Sequence, residues 1–384
     1  MQKLVYADNA ATTPLSAAAR KAMLPWLENA FGNPSALYAP GRAARKAVEQ
    51  ARDAIADCLG CSSEEIYFTS CGTESDNWAV KGMALQQAKI GKKHLVTSAF
   101  EHHAVLHACK ALEPYGFSVT CLPVSTTGFI TPEALEAALT PDTALVSIMT
   151  ANNELGTVQP VSELAAVCRK HGVLFHTDAV QAVGHLPLSV HRQGIDLLSL
   201  SAHKFGGPKG TGVLYVRRGL HPVPLLDGGA QEQGSRGGTE NVTGIVGMAA
   251  ALQERTASLQ ADTARIRTLR DRLEAGLCSA IPDCRRNGGA ERLPGHLNLL
   301  FKGIEGESLL LLLDREGICA SSGSACTAGS TDPSHVLLAI GLTREQARSS
   351  VRFSLGVETT DADVERMLQV VPDAVKRLRN FQPF

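Results

Sequence analysis

Short apolar runs alternate with helical patterns along most of this chain, and that alternation limits the possible folds more than any other feature. The strand-like runs lie at residues 66–69, 94–97, 144–149, 173–176, 197–200 and 212–216. Continuous short apolar strands are typical of a mostly parallel sheet that is covered on both faces. We therefore predict an α/β fold with a sheet that is mostly parallel and lies between helices. Functional residues should then lie at strand ends and in the loops that follow them.

A long helical segment at residues 245–277 leads into a second part of the chain. That part contains strand-like runs at 296–301 and 350–354, with helical patterns at 307–316 and 361–378. We predict a large domain at residues 15–258 and a smaller α+β domain built from residues 1–14 and 259–384. The turn-rich segment 6–14 is expected to pack near the active site.

Composition excludes several classes of protein. The 384 residues are 44% hydrophobic and 20% charged, which is ordinary for a globular protein. The net charge of -1 provides no overall positive potential that would attract nucleic acid or an anionic membrane. Ten cysteines are scattered through the chain, which is unlike a disulfide scaffold, and the histidines show no zinc spacing. No signal or transit pattern follows Met1, and the apolar run 309–313 is too short to span a bilayer. These features predict a cytoplasmic enzyme.

The segment 196–212 has the composition of a reactive site. An apolar strand turns polar at Ser201, His203 and Lys204 and runs into a glycine-rich loop. A lysine at the end of a buried strand suits an amine that loses its proton and attacks a carbonyl. The alternative is a solvated surface lysine, which is what most lysines are.

Two further strand ends carry candidate cofactor ligands. After residue 69, a turn of small residues at Gly72 and Thr73 opens a helix, and such a helix N-terminus favours phosphate. Neither a Walker loop nor G-x-G-x-x-G is present, so ATP and NAD are not indicated. Asp178 follows another strand, where it can pair with a protonated ring nitrogen, and Gln181 can donate to a nearby oxygen. Ordinary helix caps are the alternative at both places.

The sequence Glu-His-His after the strand at 94–97 offers an imidazole that could stack on a flat cofactor, or an ordinary partly buried histidine. Cys326 lies in a run of Ser, Gly, Ala and Thr, which suits an accessible thiol on a mobile loop. Cys58 and Cys61 form a C-x-x-C without further ligands, so we interpret them as packing at a helix end rather than as a metal site.

Arg352 lies inside an apolar strand and needs an anion, either a substrate carboxylate or an internal salt bridge. Together these features require a phosphate, a pyridinium nitrogen, a carbonyl carbon for Lys204 and a carboxylate substrate. Pyridoxal 5'-phosphate acting on an amino acid satisfies all four requirements.

With these motifs the chain resembles the cysteine desulfurases of the NifS/IscS type, which are class V, fold-type I pyridoxal-phosphate enzymes. The resemblance implies that the mostly parallel sheet of the large domain has seven strands. The resemblance covers nearly the whole length, and three motifs are specific: Arg-Gly-Gly-Thr-Glu-Asn at 236–241, Ser-Gly-Ser-Ala-Cys at 322–326 and Ser-Val-Arg-Phe-Ser at 350–354. The resemblance implies that Lys204 binds the cofactor covalently, His102 stacks on its ring, and Cys326 is the nucleophile. It implies the following ligands for the cofactor and the substrate: Asp178 and Gln181 at the ring; Gly72, Thr73, Ser201 and His203 at the phosphate; Thr239 at the phosphate from the neighbouring subunit; Asn153 and Arg352 at the substrate carboxylate.

By the same resemblance, we expect a homodimer that converts L-cysteine to L-alanine. Sulfur would pass to Cys326 as a persulfide and then to an acceptor protein, such as an iron–sulfur scaffold. Selenocysteine lyase and class V aminotransferase remain alternatives on this fold. A non-catalytic sulfur-transfer scaffold is a third, against which the intact set of Lys204, Asp178 and Cys326 argues. No resident metal is expected.

Overall fold

A computed structural model describes residues 4–322 and 332–380 of the chain. The strands are β1 (Val5–Tyr6), β2 (Ile66–Thr69), β3 (His94–Ser98), β4 (Ser118–Leu122), β5 (Thr143–Ser147), β6 (Leu174–Asp178), β7 (Leu197–Ser201), β8 (Gly212–Val216), β9 (Cys284–Arg286), β10 (His296–Phe301), β11 (Ile318–Cys319) and β12 (Ser350–Ser354). The helices are α1 (Ala17–Glu28), α2 (Ala39–Leu59), α3 (Gly72–Asn77), α4 (Met83–Ala88), α5 (His103–Lys110), α6 (Pro132–Ala138), α7 (Val161–Lys170), α8 (Val190–Gln193), α9 (Val242–Ala280), α10 (Gly306–Arg315), α11 (His335–Ala339), α12 (Arg344–Arg348) and α13 (Asp361–Asn380). A π-helical turn, Trp78–Gly82, joins α3 to α4.

The central sheet has seven strands in the order β2-β8-β7-β6-β5-β3-β4. β8 runs antiparallel to both of its neighbours, and the other neighbouring pairs are parallel. This confirms the predicted mostly parallel, seven-stranded sheet. The sequence analysis missed β4, which lies at the sheet edge and is only partly buried, so it lacks the continuous apolar run of the inner strands.

Successive residues of the inner strands enter different cores, which explains why those strands are mostly apolar. On β3, Leu95 joins one core and Val96 joins the other, and Leu197 and Leu198 divide in the same way on β7. A polar side chain inside such a strand has no access to water and needs an internal partner, as His176 and Ser199 provide for each other. The polar residues that end β6 and β7 are therefore the ones available for chemistry.

A second, three-stranded antiparallel sheet has the order β12-β10-β9, and its apolar residues share a core with α10, α13 and the second half of α9. The N-terminal segment joins this part of the molecule: β1 pairs with β11, and Asp8 pairs with Ser354 of β12. The first half of α9 instead packs on α1 and α2. The predicted division between residues 258 and 259 falls inside this continuous helix and stays a prediction.

Among the helices of residues 4–322 and 332–380, none is long and apolar enough to cross a membrane.

Candidate active site

One cleft at the carboxyl ends of β6 and β7 brings together most of the residues that the sequence singled out. Its far wall is formed by the N-terminal segment and β12. The cleft encloses about 800 Å³, counting its open mouth. The predicted residues that line it are Gly72, Thr73, His102, Asn153, Asp178, Gln181, Ser201, His203, Lys204 and Arg352.

Lys204 ends a 3-10 turn, Ala202–Lys204, that follows β7 directly. Its Nζ donates to the backbone oxygens of Ala10 at 2.7 Å and Ala11 at 2.9 Å. The turn-rich N-terminal segment therefore contacts the amine in the cleft, which is where the sequence analysis expected this segment to pack.

The N-terminus of α3 opens onto the same cleft. The first N–H groups of a helix have no acceptor within the helix, so they are available to an anion. Gly72 lets the start of α3 pack closely against Val180, because a Cβ at position 72 would lie 2.6 Å from Cγ2 of that residue. Ser201 and His203 also line the cleft, and the Nδ1 atom of His203 is 3.1 Å from Oγ1 of Thr12. Burial lowers the pKa of His203 to about 4, so this ring is neutral at pH 7.

Asp178 is the last residue of β6, and its side chain is buried in the cleft. Burial raises the pKa of this carboxyl, while the backbone N–H of Val180, which donates to Oδ1 at 2.9 Å, and the charge of Lys204 lower it. Both opposing contacts favour the carboxylate form, which is the form that a protonated ring nitrogen requires.

His102 caps the N-terminus of α5, and its Nδ1 accepts the N–H of Ala104 at 3.1 Å. Burial and the positive charges of His103 and Lys204 lower the pKa of His102 to about 4. The next residue, His103, does not line the cleft; its ring lies 4.5 Å from that of His335. Of the two adjacent histidines, His102 is therefore the one placed to stack on a bound ring.

Arg352 is fully buried on β12. Its Nη2 contacts Oδ1 of Asp8 at 2.8 Å, and its Nη1 donates to the backbone oxygen of Asn153 at 2.8 Å. The internal salt bridge, which is one of the two alternatives considered from the sequence, is thus present. The Nε atom is buried and has no hydrogen-bond partner among the described residues.

The remaining predicted residues lie elsewhere or make other contacts. The Nε2 atom of Gln181 donates to the oxygen of Ala10 at 3.0 Å. Thr239 does not line this cleft but a neighbouring cavity. Cys326 lies outside the described residues. Cys58 and Cys61 pack against the core at the end of α2, as interpreted, and the described part of the chain contains no cluster of three or more potential metal ligands.

The cleft also contains functional candidates that the sequence analysis missed, above all Asp76, which lines the cleft and is almost fully buried. It lies four residues after Gly72, and residues at this spacing share one face of a helix. The spacing of four residues could therefore have identified Asp76 from the sequence as a residue on the same helix face as Gly72. The pairing of Asp8 with Arg352 had no local signal, because 344 positions separate the two residues.

Comparisons with known proteins give consistent results. The family model described as aminotransferase class-V matches residues 5–367. The chain is 51% identical over 382 residues to cysteine desulfurase IscS of Methanosarcina thermophila, covering 99% of this chain and 94% of that protein. It is 48% identical over 385 residues to cysteine desulfurase IscS of Dictyoglomus turgidum, covering 100% and 98%. Among solved structures, a NifS-like protein has a TM-score of 0.92 at 38% identity, covering 98% of this chain and 100% of that one. The structure titled "SspA in complex with cysteine" has a TM-score of 0.81 at 40% identity, covering 92% and 99%.

Proposed function

The chain belongs to the class-V aminotransferase family and is a pyridoxal-phosphate-dependent cysteine desulfurase, and we propose that Lys204, His102, Arg352 and Cys326 carry its reaction. The observation that supports this proposal is the convergence of Lys204, Asp178 and Arg352 on one cleft from three different strands or strand ends. An amine, a carboxylate and a guanidinium in one pocket match the three functional groups of a pyridoxal cofactor joined to an amino acid.

The residues of the cleft fit pyridoxal phosphate. The N-terminus of α3 at Gly72 offers backbone N–H groups to a phosphate, with hydroxyls at Thr73 and Ser201. Asp178 would pair with the ring nitrogen, Gln181 with the ring hydroxyl, and His102 with the ring face. When bound, the cofactor supplies a carbonyl for Lys204 and a sink for the electrons of the Cα–H bond.

The chain's own residues would then act in sequence on L-cysteine. Arg352 and Asn153 bind the substrate carboxylate and orient the Cα–H bond. The Nζ of Lys204 takes the Cα proton and returns it later in the cycle. The Cys326 thiolate attacks the substrate sulfur, so that an S–S bond forms as the C–S bond breaks. The electron pair of the C–S bond stays with the substrate's β carbon, which takes up a proton equivalent to the one that the Cys326 thiol released. The products are L-alanine and a persulfide on Cys326, and an acceptor thiol removes the outer sulfur.

Arg352→Gln tests the substrate-binding role. Truncating one side of a buried charge pair costs about 2–5 kcal/mol, so we expect the KM for L-cysteine to rise at least about 30-fold while kcat changes less. The split between KM and kcat is the readout, measured by alanine production. Absorption of the bound cofactor should stay as in wild type, because Arg352 is assigned to the substrate.

The matched control is Arg366→Gln on α13, which removes an ion pair with Glu316 outside the cleft. It should leave KM unchanged. A rise confined to kcat in Arg352→Gln, with KM at the wild-type value, would contradict the assignment.

We also propose that the active unit is a two-fold homodimer in which Thr239 of each chain completes the phosphate site of its partner. Two observations support this. Thr239 does not line the cleft of its own chain, and Phe31 and Leu37 are 88% and 82% exposed, which leaves apolar surface for a contact. The ion pair between Arg236 and Glu74, at 2.9 Å, ties the segment that carries Thr239 to α3.

Mixing chains that carry Lys204→Ala with chains that carry Thr239→Ala tests the shared site. Each homodimer should be impaired, whereas a heterodimer should contain one site with both residues intact. We expect each heterodimer in the mixture to have about half the activity of a wild-type dimer. Mass spectrometry of the intact dimers measures how much heterodimer has formed by subunit exchange. A fully active monomer in sedimentation would refute the proposal.

The proposed location is the cytoplasm, and the proposed partner is a sulfur-acceptor protein such as an iron–sulfur scaffold. All nine described cysteines are free thiols, which suits a reducing compartment. A persulfide product also requires an acceptor thiol.

A further inference from the structure

A second buried carboxyl lines the cleft close to Asp178. Asp76, on α3, is 1% exposed. Its Oδ1 has no hydrogen-bond partner among the described residues and lies 3.8 Å from Nε2 of His176. Burying a carboxylate oxygen that lacks a hydrogen-bond donor costs free energy, so the protonation state of the Asp76 carboxyl group has to be explained.

The groups around Asp76 do not supply a compensating positive charge. His176, on β6, has its two ring nitrogens occupied by the hydroxyls of Ser147 at 2.8 Å and Ser199 at 3.0 Å. Burial lowers the pKa of His176 to about 3, so its ring is neutral. Asp178, Glu101 and Cys71 also lie near Asp76, and their negative forms all oppose a charge on it, whereas a hydrogen bond from the Ser199 hydroxyl favours that charge.

The two carboxyls therefore differ in how well each can carry a charge. Asp178 accepts a backbone N–H and feels the charge of Lys204. Asp76 has the unpartnered oxygen, and burial together with the charge of Asp178 raises its pKa well above the ordinary value. When two close carboxyls compete, the one with fewer donors keeps the proton.

We propose that Asp76 is a protonated, neutral carboxylic acid in the working enzyme and thereby leaves the single negative charge of the pair on Asp178. Asp76 is then a positioning residue that acts through Asp178. This inference rests on the proposed role of Asp178 as the partner of the ring nitrogen. With the proton on Asp76, the ring nitrogen faces one full carboxylate, and the cleft avoids a second buried charge.

Infrared spectroscopy of the protein without substrate tests the assignment directly. At pH 7 the wild type should show the carbonyl stretch of protonated carboxylic acids, and Asp76→Asn should remove one such band. Burial raises the pKa of Glu101 to about 8, so Glu101→Gln should remove a different band. Asp373→Asn, at an exposed position of α13, is the control that should remove none. If the Asp76→Asn spectrum keeps every band of the wild type, the proposal is wrong.

The pH dependence of unfolding gives a second readout that a purely structural role would not change. Between the ordinary carboxyl pKa of 3.8 and the raised pKa of Asp76, the folded protein holds a proton that the unfolded chain releases. Rising pH therefore destabilises the fold in this window, with up to about a tenfold increase in the unfolding constant per pH unit. Urea unfolding of the apoprotein should show a shallower pH slope for Asp76→Asn than for wild type or Asp373→Asn.

An Asp76→Asn slope equal to that of wild type would overturn the proposal. Neither readout involves turnover, so its failure is distinct from failure of the proposed function. A protein that makes alanine from L-cysteine but lacks the Asp76 band would refute the Asp76 assignment alone.

Discussion

Lys204→Ala is expected to lower alanine production from L-cysteine by at least about 10³-fold, because one change removes both the covalent attachment and the base that moves the Cα proton. Borohydride reduction of the wild type should fix the cofactor to Lys204, and peptide mapping should find it there. In the variant, reduction should attach no cofactor, since Lys204 is the lysine that lines the cleft.

Lys209→Ala is the matched control for that experiment, because Lys209 lies five residues further along the same glycine-rich loop and is exposed. It should retain wild-type labelling and activity. Label mapped to Lys209 or Lys81 in the wild type would show that the strand-end amine has been assigned incorrectly.

Cys326→Ser is expected to abolish persulfide formation and nearly all alanine production from L-cysteine, while the cofactor absorption stays as in wild type. In the proposed mechanism, Lys204, Asp178 and Arg352 bind the cofactor and the substrate, whereas sulfur transfer requires a thiol that serine cannot replace. Mass spectrometry after L-cysteine treatment should find one added sulfur on the wild-type chain, on Cys326.

Two other cysteines provide controls for this prediction. Cys71 lines the cleft, and Cys319 lies on β11 a few residues before Cys326. Cys71→Ser and Cys319→Ser should each leave the added sulfur on Cys326. Sulfur mapped to either of them in the wild type, or wild-type alanine production by Cys326→Ser, would contradict the mechanism. Residual activity of Cys326→Ser on selenocysteine would agree with it, because selenium leaves more readily than sulfur.

The sequence was most informative where a strand ends. Strands buried on both faces are mostly apolar, so Asp178 and Lys204 stood out at or just after a strand end, and the structure places both in one cleft. The same reasoning found six strands of the sheet but missed β4, because an edge strand needs no continuous apolar run; the number seven came from the family resemblance. Helix α9 also begins earlier and ends later than the predicted 245–277, since Gly244 and Ser279 interrupt the apolar pattern without ending the helix.

Contacts between distant segments could not be predicted from local patterns. The ion pair of Arg352 with Asp8 and the contact of Lys204 with Ala10 join residues 344 and 194 positions apart. The free-energy cost of burying Asp76 on α3 could not be predicted for a related reason, since it depends on His176 and Asp178 of β6, about 100 positions away. Spacing can place Asp76 on a helix face, but only tertiary packing shows that one of its oxygens lacks a partner.

The pairing of the N-terminal segment with β11 and β12 has a consequence for how the enzyme is made. Asp8 is synthesised 344 residues before its partner Arg352, and Ser354 follows two residues later. At about 5–20 residues per second, Asp8 waits roughly 17–70 s for Arg352. The large central sheet can form during that interval, whereas the wall of the cleft that holds Arg352 can form only after β12 has been synthesised. A nascent chain that has not reached β12 therefore lacks Arg352, the residue proposed to bind the substrate carboxylate.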